Sequence, residues 1–375
     1  MKQYFLDSAS TTRPYDAVIE TMADVMRNHY GNPSSIHKMG QDAKDIIENV
    51  REQIAADIGC DPKEIIFTSG ACEANSLALC GTRYNHIITT HLEHKSIEEI
   101  LASNTFTSAS YIPVDEYGNI LFDDFQHILK TYNSAIVSIQ YGNSEIGTIQ
   151  DIRRISNAIK GRNFALHVDA TQVFPEGSIN VKNLGIDLMS VSAQKFHGPK
   201  GIGFLYCRDG IALSPLIYGS QENGLRGGTY NTPAIAGMGK ALEINRLMLH
   251  DYINEGIRFN RDRIAERLLK IPGVHLNGPH LDVNRLYNNL SVHIDGVKAS
   301  DLVTLASMYG VYISAGSACC SGESIPSSTL KAIGLNNEEA LSTIRITVDE
   351  TLIDSEISDI VEILSGLIER LRSTS

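Results

Sequence analysis

The chain has 375 residues, 42% of them hydrophobic, and a net charge of −12 with a pI of about 5.5. That length supports a large core divided between two lobes, and the acidic balance argues against nucleic acid or an anionic membrane as partner. No apolar run approaches the roughly 18 residues of a spanning helix, the start reaches Asp7 before a signal peptide can develop, and six cysteines without such a signal fit free or reactive thiols in the cytoplasm.

Residues 1–13 read as an extended arm ending at Pro14. Helical patterns follow from Tyr15 to His29 and from Gly40 to Ile58, separated by the loop signal Gly31-Asn32-Pro33-Ser34-Ser35. Glu64–Phe67 is a short buried-type strand that runs through Thr68-Ser69-Gly70-Ala71 into a helix over Cys72–Leu79. A strand, a turn of small residues and a helix start can cradle a phosphate, because free N–H groups and the positive helix end face the anion. The turn lacks both the Walker lysine and the dinucleotide glycine patterns, so taken alone an ordinary helix cap is the plainer reading. His86–Thr90 is a strand, followed by His91, Glu93, His94 and a helix to Ser103; no cysteine or carboxylate spacing completes a metal set around these histidines.

Ser134–Gln140 is a strand leading to Asn143-Ser144-Glu145-Ile146-Gly147, then a helix over Asp151–Lys160. Ala165–Asp169 is a strand ending on a carboxylate. Leu188–Val191 and Ile202–Tyr206 flank a turn with two glycines and a proline, with Lys195 in its middle. A lysine there is well placed as a buried amine that condenses with an aldehyde cofactor; a solvated lysine in a hairpin loop is the plainer alternative. Strands and helices alternate at short intervals, which predicts an α/β fold with a mostly parallel sheet covered on both faces. Ligands of such sheets gather at the carboxyl ends of strands. Thr68, His94, Asn143, Asp169 and Lys195 all follow predicted strands closely.

Beyond the glycine-rich Leu225–Thr229, the pattern predicts one long helical stretch from Pro233 to Leu269 linking the lobes. The remainder reads as a smaller α+β unit. Its predicted strands are Asn289–Ile294, Val311–Ile313 and Thr343–Val348, and its predicted helices Lys298–Met308, Pro326–Ile333 and Asp354–Leu371. A loop of small residues, Ser314–Gly322, carries Cys319 and Cys320. The domain division expected is 14–255 for the large unit, and 1–13 with 256–375 for the small one.

Ten short motifs carry a resemblance. They are Leu6–Thr12, Asn32-Pro33-Ser34, Phe67–Ala71, Glu93-His94-Lys95, Glu145-Ile146-Gly147, His167–Gln172, Lys195 with Gly198–Gly201, Gly228-Thr229, Gly316–Cys319 and Ile344-Arg345. Their order and spacing resemble the cysteine desulfurases of the NifS/IscS type, in the class V aminotransferase group of pyridoxal-phosphate enzymes. The resemblance covers nearly the whole chain. It implies the type I fold of these transferases, a large domain with a mostly parallel seven-stranded sheet and a smaller α+β domain.

The resemblance also implies roles. Lys195 is the Schiff-base lysine and proton shuttle, and His94 stacks on the cofactor ring and moves protons. Asp169 pairs with the pyridine nitrogen, which it keeps protonated, and Gln172 meets the phenolic oxygen. Ala71, Cys72, Ser192 and Gln194 sit at the phosphate and ring side, with Ser144 also at the cofactor. Thr229 reaches the phosphate of a second subunit, which implies a homodimer. Arg345 grips the substrate carboxylate as a fork, with Asn32 and Asn143 also at the substrate. Cys319 is the nucleophile: its thiolate takes the sulfur of L-cysteine as a persulfide, leaves alanine, and passes the sulfur to an acceptor such as an iron–sulfur scaffold or a thiolation carrier. No standing metal site is expected, with Cys319 a transient iron–sulfur ligand at most. A cysteine or selenocysteine lyase and an aminotransferase on the same fold are the alternatives.

Four positions depart from the family pattern. Cys72 stands where a threonine usually meets phosphate, and a thiol is the weaker donor. Ser144 replaces the second of two asparagines, Gln194 replaces a histidine, and Cys320 adds a thiol beside the nucleophile, suited to exchanging sulfur with Cys319 or closing a labile disulfide. Cys60, Cys80 and Cys207 lie in apolar or helical contexts and read as core thiols.

Overall fold

The computed structural model describes residues 2–103, 106, 108–175, 179–248, 250–316 and 325–374. Cys319 and Cys320 lie outside the described residues, so the roles expected for them have no structural counterpart here. The strands in chain order begin with β1 (Tyr4–Phe5), β2 (Ile65–Thr68), β3 (His86–Thr89), β4 (Ser108–Tyr111), β5 (Ser134–Gln140), β6 (Asn163–Asp169), β7 (Leu188–Ser192) and β8 (Gly203–Cys207). They continue with β9 (Val274–Leu276), β10 (Asn289–Ile294), β11 (Val311–Tyr312), β12 (Ser314–Ala315) and β13 (Thr343–Thr347).

Seven of them form the central sheet in the order β2-β8-β7-β6-β5-β3-β4. The four pairings from β7 to β4 are parallel, while β8 runs antiparallel between β7 and β2. The mostly parallel seven-stranded sheet is thus the one expected. All of its strands but the edge strand β4 are buried at nearly every position because both faces are covered. Phe67, Val137, Leu166 and Phe204 pack with the helices Lys38–Ile58 and Thr232–Leu247 on one face. Their neighbours Ile66, Ile136, Ala165 and Leu205 pack with the helix Ala71–Cys80 on the other. Adjacent residues of one strand point to opposite faces, so each strand feeds two cores.

A second sheet, β12-β13-β10-β9, is antiparallel. Leu290, Val292, Ile346, Leu302, Ile360 and Leu364 build a separate core against it. The amino-terminal arm belongs to this unit, since β1 pairs in parallel with β11 and Asp7 bridges to Thr347.

The single long helical stretch expected over Pro233–Leu269 is two helices, Thr232–Leu247 and His250–Leu268. Met248 is extended (ψ 135°) and its N–H still closes on Ile244 O. No glycine or proline marks this break, so the helical pattern runs across it. Strands β4 and β9 also lie beyond the elements expected.

Candidate active site

The carboxyl ends of β2, β5, β6 and β7 open onto a cavity of about 1540 Å³, whose far wall comes from β13 and the residues around Ser327. Ala71, Cys72, His94, Asn143, Ser144, Asp169, Gln172, Ser192, Gln194, Lys195 and Arg345 all line it. Asn32 and Thr229 do not. Asn32 is exposed, its Oδ1 accepting from the Ser34 N–H, and Thr229 borders a separate small cavity with Gly201, Glu222 and Arg226.

Lys195 ends a short 3-10 turn that follows β7. Its Nζ donates to the carbonyl oxygens of Ala9 (2.5 Å) and Ser10 (2.7 Å). Burial pushes its pKa down to about 8, and the nearby Arg345 charge pushes the same way, against Asp7 and Asp169. A neutral amine at that pH is a nucleophile and a base, which a solvated lysine is not. Uptake of pyridoxal phosphate by the apoprotein is therefore expected to speed up about tenfold per pH unit and level off above pH ~8. A stopped-flow absorbance series across pH 6–10 checks this; a rate still climbing at the top of the range contradicts it.

Asp169 is the last residue of β6 and only 2% exposed. Asn75 Nδ2 donates to its Oδ2 (2.9 Å) and the Thr171 N–H to its Oδ1 (3.0 Å). His167 shares its face of the strand, two residues back. It is fully buried, held by Ser138 Oγ and Ser190 Oγ, and burial lowers its pKa, so it stays neutral there. Glu93 lies close enough that the Asp169 charge adds to burial in raising its carboxyl pKa well above the usual range.

The helix Ala71–Cys80 begins at the cavity, and its first N–H groups have no intrahelical acceptor. Two glycines let the turn lie close to the sheet. Gly70 has φ 146°, and a side chain on Gly203 would meet the Val191 carbonyl oxygen at 2.3 Å and the Gly70 backbone at 2.8 Å. Glu73, in the first helical turn, accepts from the Ser69 N–H and from Arg226, contacts that outweigh its burial and hold its pKa below the usual value. His94 caps the next helix: its Nδ1 accepts from the Ser96 N–H (3.1 Å), which puts the proton of the neutral ring on Nε2.

The amino-terminal arm forms the floor between Lys195 and Arg345. Ala9 O also receives Gln172 Nε2 (3.0 Å). Arg345 Nη2 donates to Asp7 Oδ1 and Ser10 Oγ, both at 2.7 Å. Its Nη1 has only a 3.4 Å contact to Ser144 O, and its Nε is buried with no partner. An arginine with donors to spare, 3% exposed beside a cavity, is built to take a carboxylate. Asn143 differs from expectation. Its Nδ2 goes to Leu92 O and Gln140 Oε1, and its Oδ1 takes the N–H groups of Glu145 and Ile146. Its amide is spent on folding the turn, and no polar atom is left over for a substrate.

Asp7, Ser10, Asn75, Glu93, Glu98 and Glu145 are parts of the site that sequence reasoning gave no role. Ser327 and Ser328, just after residues 317–324, donate to Glu145 Oε2 and Glu98 Oε1, both at 2.5 Å. Burial raises the Glu145 pKa to about 7, against Ser327 and Arg345. Of the thiols, Cys72 is exposed at the cavity, whereas burial pushes Cys60 and Cys207 up to about 12, fitting inert core thiols.

Pyridoxal phosphate fits this donor set. The buried carboxylate of Asp169 suits a pyridinium nitrogen, the free helix-start N–H groups and Ser192 suit a phosphate, and Lys195 suits the aldehyde carbon. Thr171 Oγ1 and Asn75 Oδ1, both buried without partners, mark polar capacity still unfilled around Asp169.

Comparison with known proteins agrees with this chemistry. A protein described as cysteine desulfurase IscS 1 from Archaeoglobus fulgidus is 39% identical, over 99% of this chain and 98% of its own. Among solved structures, a NifS-like protein superposes with a TM-score of 0.88 at 33% identity, covering 99% of both chains. One described as SspA in complex with cysteine superposes with a TM-score of 0.78 at 32% identity, covering 93% of this chain and 99% of its own. The family described as aminotransferase class-V matches residues 4–351, and the chain belongs to that family.

Proposed function

We propose that the protein is a cysteine desulfurase, converting L-cysteine to L-alanine and transferring the sulfur through a persulfide on Cys319. The observation that carries this is the pairing of Lys195 and Arg345 across the Asp7–Ser10 arm, a depressed amine and a buried guanidinium with unused donors in one cavity. Pyridoxal phosphate is the family's cofactor; when bound, it withdraws electrons from the substrate α-carbon. Arg345 holds the amino-acid carboxylate through its spare N–H groups. Lys195 Nζ takes the α-proton and returns it. With the cofactor bound, Asp169, fixed by Asn75 and Thr171, would hold positive charge at the pyridine nitrogen, and His94 lines the cavity with its proton on Nε2. The Cys319 thiolate attacks the substrate sulfur: the carbon–sulfur bond breaks, a sulfur–sulfur bond forms, and the carbon skeleton gains a proton and leaves as alanine.

Ala71, Cys72, Ser192 and Gln194 serve the phosphate and ring side, and Gln172 the phenolic oxygen, in this reading. Thr229 and Asn32 line no part of this chain's cavity, which suits service in the site of a second copy, and so a homodimer. The sulfur goes to an acceptor protein, an iron–sulfur scaffold or a tRNA-thiolation carrier, and the enzyme works in the cytoplasm. No helix among the described residues is long and apolar enough to cross a membrane. Residues 14–255 carry the cofactor, while 1–13 and 256–375 carry Arg345 and the segment with Cys319.

After one turnover without reductant, intact-mass and peptide analysis of the holoenzyme is expected to show one added sulfur on Cys319, removable by a thiol reductant. Cys319→Ser is expected to lack it and to form no alanine. A sulfur-free Cys319 in an enzyme that turns over cysteine would point instead to a lyase.

A further inference from the structure

On the outer edge of the second sheet, β9 pairs with β10 so that His275 stands opposite His293. Their rings stack at 4.8 Å between centroids. Asp295 follows two residues after His293, and its Oδ2 lies 3.2 Å from His275 Nε2. One ligand atom from each of these three residues falls within 4.8 Å of the other two.

The hydrogen bonds behind His293 fix which nitrogen it offers. Thr343 Oγ1 donates to Glu339 O (2.8 Å), a carbonyl that can only accept. The Thr343 hydroxyl therefore accepts from Asn277 Nδ2, which orients the amide with Oδ1 toward His293. His293 Nδ1, 2.6 Å from that oxygen, must carry the proton. Its Nε2 is left as the ligating nitrogen. Asn277 is 2% exposed, so this orientation is locked into the core. A buried carbonyl-type acceptor behind a histidine is the arrangement that sets tautomer and ring direction in metal sites. Arg372 nearby donates to the backbone carbonyls of Pro272, Gly273 and Asp295, and Asp295 Oδ2 keeps its contact with His275.

We propose that His275, His293 and Asp295 form a site for a divalent transition cation of the zinc class, separate from the active site. Two imidazoles and one carboxylate suit zinc and disfavour magnesium or calcium. Tetrahedral zinc holds its donors about 3.3 Å apart, a closure that rotation of the exposed His275 ring supplies. The cation replaces the proton that His275 Nε2 shares with Asp295, and His275 keeps its proton on Nδ1. Three protein ligands leave the fourth position to water or a donor from another molecule. The set escapes sequence reading because strand register, and no short spacing, brings His275 to His293.

The test is calorimetric titration of zinc chloride into the holoenzyme, with Cys319→Ser and Cys320→Ser substituted to silence the adjacent thiols. A saturable site is expected, weakened at least tenfold by His275→Gln and by His293→Gln. Asn277→Ser is expected to weaken it about 10- to 100-fold through loss of orientation, with the visible cofactor spectrum unchanged as evidence of intact folding. No saturable binding, or wild-type affinity in either histidine variant, overturns the proposal.

Discussion

Lys195→Ala is expected to lower turnover of L-cysteine by about 10²–10⁴-fold or more, the range for loss of a positioned acid–base group. Two effects add in this variant. The amine that anchors the cofactor is gone, and so is the base within reach of the α-carbon. Lys195 Nζ sits against the carbonyl oxygens of Ala9 and Ser10, so its loss also removes two of the arm's links to the large sheet, leaving those from Gln172 and Gln194. Lys195→Arg is the sharper variant, because it keeps a donor for those carbonyls but is not a base at neutral pH. Single-turnover alanine formation with either variant checks the claim. Arginine-supported turnover near that of the wild type would move the proton transfer to another residue, such as His94, which also lines the cavity.

The second large effect falls on binding. Arg345→Lys is expected to raise KM for L-cysteine about 10- to 100-fold, with a smaller change in kcat. A charge-assisted hydrogen bond contributes about 1.5–3 kcal/mol, and lysine presents a point charge where arginine presents a fork. Arg345 also neutralises Asp7 (2.7 Å), so the measurement includes Asp7→Asn as control. That control separates loss of the substrate contact from disturbance of the arm. A fall in kcat with KM unchanged in Arg345→Lys would show that the arginine positions the arm and leaves the carboxylate to another group.

How much of this was legible before the structure differs by residue. Asp169 and Lys195 were legible because ligands of a mostly parallel sheet gather at the carboxyl ends of its strands, and these residues lie at or just after such ends. The turn Ser69-Gly70-Ala71 was legible for the same reason. The Asp7–Ser10 arm was legible only as a motif. Its strand, β1, is two residues long and has no periodicity, and the arm earns its place by meeting Lys195 and Arg345, far apart in sequence. Asn75 acts by a hydrogen bond to Asp169 and Glu93 by electrostatic proximity to it, relations that no local spacing encodes. The resemblance implied a substrate contact for Asn143, yet side chains like asparagine fold turns as readily as they bind ligands. The break at Met248 carries no glycine or proline to mark it.

The central claim is that this cavity and Cys319 together desulfurate cysteine. The most direct measurement gives the purified holoenzyme L-cysteine and a reductant and quantifies alanine and sulfide in the same reaction, with Cys319→Ser beside it. Equal amounts of alanine and sulfide, both abolished in the variant, are the predicted result. Undiminished turnover in Cys319→Ser would contradict the account, and would assign the cavity of Lys195 and Arg345 to lyase or aminotransferase chemistry.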